Sequence, residues 1–155
     1  MKLKYVTGSV LEPIGEGRKV IAHVANNSGG WGRGFVVALS NKWALPEQTY
    51  RHNYRKGLYF KLGDVHEVPV TDDITVCNMI AQNGYKDPIR NPVPLNYQAL
   101  EVALKEVFLI AEDLGATIHM PRIGAGLGGG NWDRIEAIIN YFVDKYQIET
   151  TIYDL

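Results

Sequence analysis

Ile118-His119-Met120-Pro121-Arg122-Ile123-Gly124-Ala125-Gly126-Leu127-Gly128-Gly129-Gly130 places five glycines in its last seven residues. The run opens on a short apolar stretch and closes against Asn131, a good helix N-cap. Beyond it Trp132, Ile135, Ile138, Ile139, Phe142, Val143 and Tyr146 fall at helical spacing. The order is therefore a strand over 117–120, a loop over 121–130 and a helix from 131 to about 146. Glycines let a main chain turn with positive φ and approach a ligand closely, while a helix N-terminus offers unpaired N–H groups to an anion. This segment has the design of a phosphate cradle.

The same design occurs upstream, in Val20-Ile21-Ala22-His23-Val24-Ala25-Asn26-Asn27-Ser28-Gly29-Gly30-Trp31-Gly32-Arg33-Gly34. A strand over 18–24 runs into a glycine cluster over 29–34, and a helix over 35–43 follows. Alone, this cluster fits a phosphate cradle and a flexible surface turn equally well. Gly124, Gly126 and Gly129 also match the G-x-G-x-x-G spacing of dinucleotide-binding folds. That fold needs an acidic residue about 20 residues on and several further strands, whereas one expected strand remains here. Two glycine loops opening onto one sheet edge suit a diphosphate gripped from both sides.

Outside the loops, 3–6, 65–70, 74–81 and 150–153 read as strands, the third almost wholly apolar like an interior strand. Pro46 opens a helix that ends near Gly57, and 95–114 is a long helix with Leu100, Ala103, Val107, Ile110 and Leu114 on one stripe. Early strands followed by alternating helix and strand predict a three-layer α/β/α domain over 1–155 with a mixed central sheet, its ligand beyond the carboxyl ends of the strands.

The chain is 46% apolar and 21% charged with a formal net charge of −1, so its surface as a whole does not concentrate polyanions, and local groups must hold an anionic ligand. Cys77 is the only cysteine, which excludes an internal disulfide; it reads as a small core residue. His52, His66 and His119 are scattered singly, so no metal is expected. There is no apolar run of membrane-spanning length and no secretory leader pattern, so the expected location is cytoplasmic. Residues 50–56 mix aromatics with positive charge, either a nucleic-acid contact or a solvated helix face. The irregular stretch 83–94 is either a lid or a connection.

Taken together, Tyr5-Val6-Thr7-Gly8-Ser9-Val10, the loop from His23 to Phe35, Met120-Pro121-Arg122-Ile123-Gly124-Ala125-Gly126-Leu127, Trp132 and the closing Thr151-Ile152-Tyr153-Asp154-Leu155 resemble macrodomains over essentially the whole chain. The resemblance is closest to the subgroup of ADP-ribose-1″-monophosphate phosphatases and terminal ADP-ribose glycohydrolases. It implies binding of ADP-ribose or a phosphorylated derivative, extending to ADP-ribosylated macromolecules, without a cofactor; a monomer is expected because no exposed apolar helix face stands out. It puts Asn26 near the distal ribose and Gly32, Arg33, Gly34 and Phe35 on the loop around the distal phosphate and ribose. Ile123, Gly124, Ala125, Gly126, Leu127 and Gly128 fall on the loop that clasps the diphosphate, and Gly8, Ser9 and Val10 at the adenine end, with Tyr153 beside the base. His23 falls where the phosphatase branch has a histidine. It is either a proton donor or relay to the leaving oxygen, with Asn26 orienting ribose or water, or a buried hydrogen-bonded histidine.

Three positions depart from the family pattern. Ser9 replaces the aspartate that accepts from the adenine amino group. Gln82 and Gly128 stand where the glycohydrolase branch has its lysine and aspartate, so a covalent sugar intermediate is not expected; Lys86 substitutes only if its loop folds inward. The implied function is hydrolysis of ADP-ribose-1″-phosphate, with a non-catalytic ADP-ribose-binding module and an ADP-ribosyl hydrolase using direct water attack as the alternatives.

Overall fold

The computed structural model describes residues 2–155. In chain order the elements are β1 (Leu3–Thr7), β2 (Lys19–Asn26), α1 (Phe35–Lys42), α2 (Leu45–Lys56), β3 (Val65–Pro69), β4 (Ile74–Gln82), α3 (Tyr97–Leu114), β5 (Thr117–Met120), α4 (Trp132–Tyr146) and β6 (Thr150–Asp154). Every expected element is present, with ends moved by one or two residues. The long helix starts at Tyr97 because Asn96 is its N-cap, its side chain accepting from the Ala99 amide at 2.9 Å. Strand β2 runs on to Asn26 because it stays paired with β4 through an irregularity at Ala25/Asn26.

The strands form one sheet in the order β1-β6-β5-β2-β4-β3. All neighbours are parallel except β3, which pairs antiparallel with β4. This is the mixed sheet anticipated from the order of elements. Because β1, β6, β5, β2 and β4 point the same way, Thr7, Asp154, Met120, Asn26 and Gln82 all finish on one edge. The segments that follow four of these strands, 8–18, 27–34, 83–96 and 121–131, start there.

Both faces of the sheet are covered. Leu100, Leu104 and Phe108 of α3 and Ile135 and Ile139 of α4 pack with Val20, Met79, Ile118 and Ile152 on one side. Leu39 of α1 and Tyr50 of α2 pack with Ile21, Val76 and Ile80 on the other. Successive residues of β2 thus enter opposite layers, which is why an interior strand is apolar at almost every position. Each fully buried leucine or isoleucine contributes about 1.5–3 kcal/mol, and the edge that carries the glycine loops is fixed by these layers. No helix among the described residues is long and apolar enough to cross a membrane.

Candidate functional site

The first glycine loop is held from inside by Asn26. Its Oδ1 accepts from the amides of Ser28 (2.9 Å) and Gly30 (3.3 Å) and from the Tyr50 hydroxyl (2.9 Å), and its Nδ2 donates to Gly30 O (2.8 Å). The Tyr50 hydroxyl also lies 2.7 Å from Asn26 O, and burial raises the tyrosine's pKa, so it stays a neutral donor. Asn26 therefore spends its amide on shaping the loop. Among the described residues, the N–H groups of Gly32, Arg33, Gly34 and Phe35 find no acceptor, and α1 begins at Gly34 (φ 78°) without a side-chain cap.

His23 lies beneath this loop. It is 2% exposed, with its ring 5.4 Å from that of Trp31 in a T-shaped arrangement and 5.5 Å from that of Phe35. Its Nε2 donates to Asn78 Oδ1 at 2.6 Å, and Asn78 Nδ2 donates to Pro46 O at 3.1 Å. The chain therefore runs from the loop floor to the start of α2. Burial lowers the His23 pKa to about 4, the hydrogen bond to Asn78 only partly opposing it. The Nε2 side of the ring is thus engaged by Asn78, and Trp31 and Phe35 enclose the imidazole. The sequence left two readings of His23 open, and this geometry is that of the buried, hydrogen-bonded one.

In the second loop, Gly130 N–H donates to Gly124 O (2.8 Å), Gly129 N–H to Gly126 O (3.0 Å) and Leu95 N–H to Gly128 O (3.1 Å). Among the described residues, the amides of Gly124, Ala125, Gly126, Leu127 and Gly128 have no acceptor. Four of the five glycines here are required by space, Gly124 and Gly129 by φ (72° and 68°) as well. A Cβ at Gly128 would lie 2.6 Å from Gly124 O, so this loop conformation has no room for a side chain at that position. The two loops meet: a Cβ at Gly34 would lie 3.1 Å from Leu127 Cδ1. Two sets of unpaired amides thus converge on one edge, an arrangement suited to an extended polyanion.

The segment 83–94 joins both loops, a role the sequence did not reveal. Asn27 Nδ2 donates to Asn83 Oδ1 and Asn27 Oδ1 accepts from the Gly84 amide, both at 3.0 Å. The Tyr85 ring lies where a Cβ on Gly30 would stand, and Pro92 O lies 2.6 Å from the Cβ position of Gly129. Gln82 Nε2 donates to Gly84 O, and Lys86 is exposed.

At the β1/β6 end, Gly8 N–H donates to Asp154 O at 2.6 Å. Ser9 Oγ accepts from the Leu11 amide (3.1 Å), and Val10 is buried. Tyr153 is only 4% exposed; its hydroxyl accepts from the Ile14 amide (2.9 Å) and bonds His119 Nδ1 (2.7 Å). Tyr153 therefore supports the 9–14 turn from below and presents no ring face to a base, contrary to the sequence expectation. Arg122, at the start of the second loop, makes a fork to Asp154 (2.6 and 3.0 Å) and sits between the rings of Tyr5 and Trp132 at 5.1 and 5.0 Å. This clasp ties the second loop to the 8–11 turn through Asp154, whose O accepts from the Gly8 amide.

Two small cavities, of about 200 and 230 Å³, lie elsewhere, beside Thr71–Asp73 and between α2 and β3. Among the described residues no three His, Cys, Asp or Glu side chains are grouped to hold a metal ion.

An α/β/α sandwich with a mostly parallel sheet, carrying two loops of unpaired amides at one edge, is the class of protein these features define. The chain belongs to the macrodomain family: a macrodomain protein from Streptomyces coelicolor is 41% identical, with a TM-score of 0.88 and 99% of each chain covered. A Bacteroides thetaiotaomicron protein of unknown function is 46% identical, with a TM-score of 0.95 over 100% of this chain and 99% of that one. Mouse chromodomain-helicase-DNA-binding protein 1-like is 33% identical over 97% of this chain, which spans only 17% of that relative's length. The ADP-ribose 1″-phosphate phosphatase of Lodderomyces elongisporus is 24% identical over 90% of this chain and 92% of its own. No protein-family model matches the chain.

Proposed function

We propose that the chain binds the ADP-ribosyl group along this edge and hydrolyses ADP-ribose-1″-phosphate to ADP-ribose and phosphate. The observation that carries the reading is the meeting of two loops with unpaired amides at Gly34 and Leu127. Ile123 to Gly128 clasp the diphosphate, Gly32 to Phe35 face the distal ribose and its phosphate, and Gly8 to Val10 border the adenine. The phosphatase name of the Lodderomyces relative supports the choice of substrate. Water attacks phosphorus, the bond from phosphorus to the ribose oxygen breaks, and the departing oxygen takes a proton from solvent. The loop amides stabilise charge on the phosphoryl oxygens. His23 and Asn26 act as positioning residues that hold the first loop in shape.

Phosphate release from ADP-ribose-1″-phosphate by the purified protein tests the activity, with calorimetric titration of ADP-ribose testing the binding. Binding without release above background removes the phosphatase and leaves the second reading, a non-catalytic module. The burial of His23 and the engagement of Asn26 favour that reading. Absence of binding to either compound refutes both.

A further inference from the structure

The near-zero net charge conceals a polarised distribution. Residues 26–63 hold six Lys and Arg against one acid, Glu47, so the remainder of the chain holds ten against sixteen. That segment contains the first glycine loop, α1, α2 and the turn after α2. Two of its cations are engaged, Lys42 with Glu12 and Arg51 with Glu47; Arg33, Arg55, Lys56 and Lys61 form no ion pair among the described residues.

Aromatic rings are interleaved with these charges. Tyr54 and Tyr85 are 48% and 55% exposed. Arg51, Tyr54 and Arg55 stand at i, i+3 and i+4 on α2 and share one strip. The Tyr54 ring occupies the Cβ position of Gly29, as the Tyr85 ring does that of Gly30. Lys86 and Arg90 follow Tyr85 in sequence; Asp87 between them accepts from the amides of Ile89 and Arg90. The strip of α2, the first loop and the 83–94 segment are thus one surface, contiguous with the proposed ligand edge.

We propose that this surface binds single-stranded nucleic acid, its cations tracking the phosphates and its exposed tyrosines stacking on bases. Cations spaced among half-exposed rings are the composition of a stacking platform in an electrostatic groove. An anionic membrane fits less well, because the apolar side of α2, with Tyr50, is buried in the core. Nucleic-acid binding here does not depend on the ADP-ribose reading; the further step, that the strand presents an ADP-ribosyl group to the adjacent edge, does.

Fluorescence anisotropy with labelled single-stranded oligonucleotides of about 16 nucleotides, the upper site size for one platform, is the test. Affinity is expected to fall with salt, with a log–log slope of about −2 to −3 for three or four phosphate contacts. An Arg55→Glu/Lys56→Glu variant is expected to bind at least about tenfold more weakly and to flatten the slope by about 1.4. Tyr54→Leu, which removes a stacking ring from the strip while keeping an apolar side chain on α2, is expected to lose several-fold in affinity. Calorimetry with ADP-ribose on the charge-reversed variant should match the parent, which separates failure of this surface from failure of the neighbouring site. Wild-type binding by the charge-reversed variant overturns the proposal. So does equal affinity for duplex and single strand, or binding to phosphatidylserine vesicles but not to the oligonucleotide.

Discussion

Replacing Gly128 with alanine puts one methyl group against backbone. The new Cβ would stand 2.6 Å from Gly124 O and 3.2 Å from Gly124 C and Cα, none of which can rotate away as a side chain would. Gly124 O also receives the Gly130 amide, and Gly128 O receives the Leu95 amide, so relieving the clash disturbs two hydrogen bonds that set the loop. Overpacking of this kind costs about 1–3 kcal/mol, and each weakened bond about 1 kcal/mol. For a chain of this size the result is a fall in Tm of about 5–15 °C. The displaced loop amides then miss the diphosphate; losing one hydrogen bond to a charged oxygen weakens ADP-ribose binding by about 10- to 100-fold. Gly126 is the control in the same loop, because a Cβ there meets nothing within 4 Å and its φ is not positive. Gly126→Ala should keep the parental Tm to within about 1 °C. Differential scanning fluorimetry and calorimetry on both variants decide the matter. A Gly128→Ala protein with parental Tm and affinity, or equal destabilisation at the two sites, refutes the reasoning.

Tyr50→Phe removes the buried donor to Asn26 and should cost about 1–2 kcal/mol of stability and several-fold in ADP-ribose affinity, read by urea unfolding and calorimetry; unchanged affinity would show that Asn26 holds the loop unaided. His23 and His119 have folded-state pKa values of about 4 against an ordinary 6.5, both chiefly from burial, so the unfolded chain takes up protons first as pH falls. Stability should be full above about pH 6.5 and decline toward pH 4 by about 1.4 kcal/mol per pH unit for each histidine; a flat urea midpoint from pH 7 to 4.5 would contradict the assigned protonation. Asn27→Ala cuts the link to Asn83 and Gly84, and hydrogen exchange should speed at the Gly84 amide with little change at β4.

The architecture was readable because its determinants are local. Period-2 and period-3.6 apolar patterns, Asn131 as a cap and Gly57 and Gly115 as stops lie within a few residues of the boundaries they set. Strand partners were not readable: β1 pairs with β6 across the whole chain length, and no local pattern encodes that. The meeting of the glycine loops followed from their both succeeding strands that point the same way. Side-chain roles were harder. The sequence left His23 open between a proton donor or relay and a buried, hydrogen-bonded histidine, because its burial depends on Trp31, Phe35 and Asn78 closing around it. The orientation of Tyr153 was similarly hidden, because its hydroxyl is claimed by His119 and Ile14 from distant segments. Net charge misled in another way, since a sum near zero carries no information about where the charges stand.

The parallel pairing of the first and last strands has a practical outcome. Leu3 aligns with Thr150 and Thr7 with Asp154, so the chain enters β1 at one rim of the sheet and leaves β6 at the opposite rim, about 16 Å away along the strand direction. A purification tag or fluorophore attached after Leu155 would crowd the glycine-lined rim, whereas one attached ahead of Leu3 would hang from the far rim. Assays of ligand capture should accordingly use amino-terminal immobilisation.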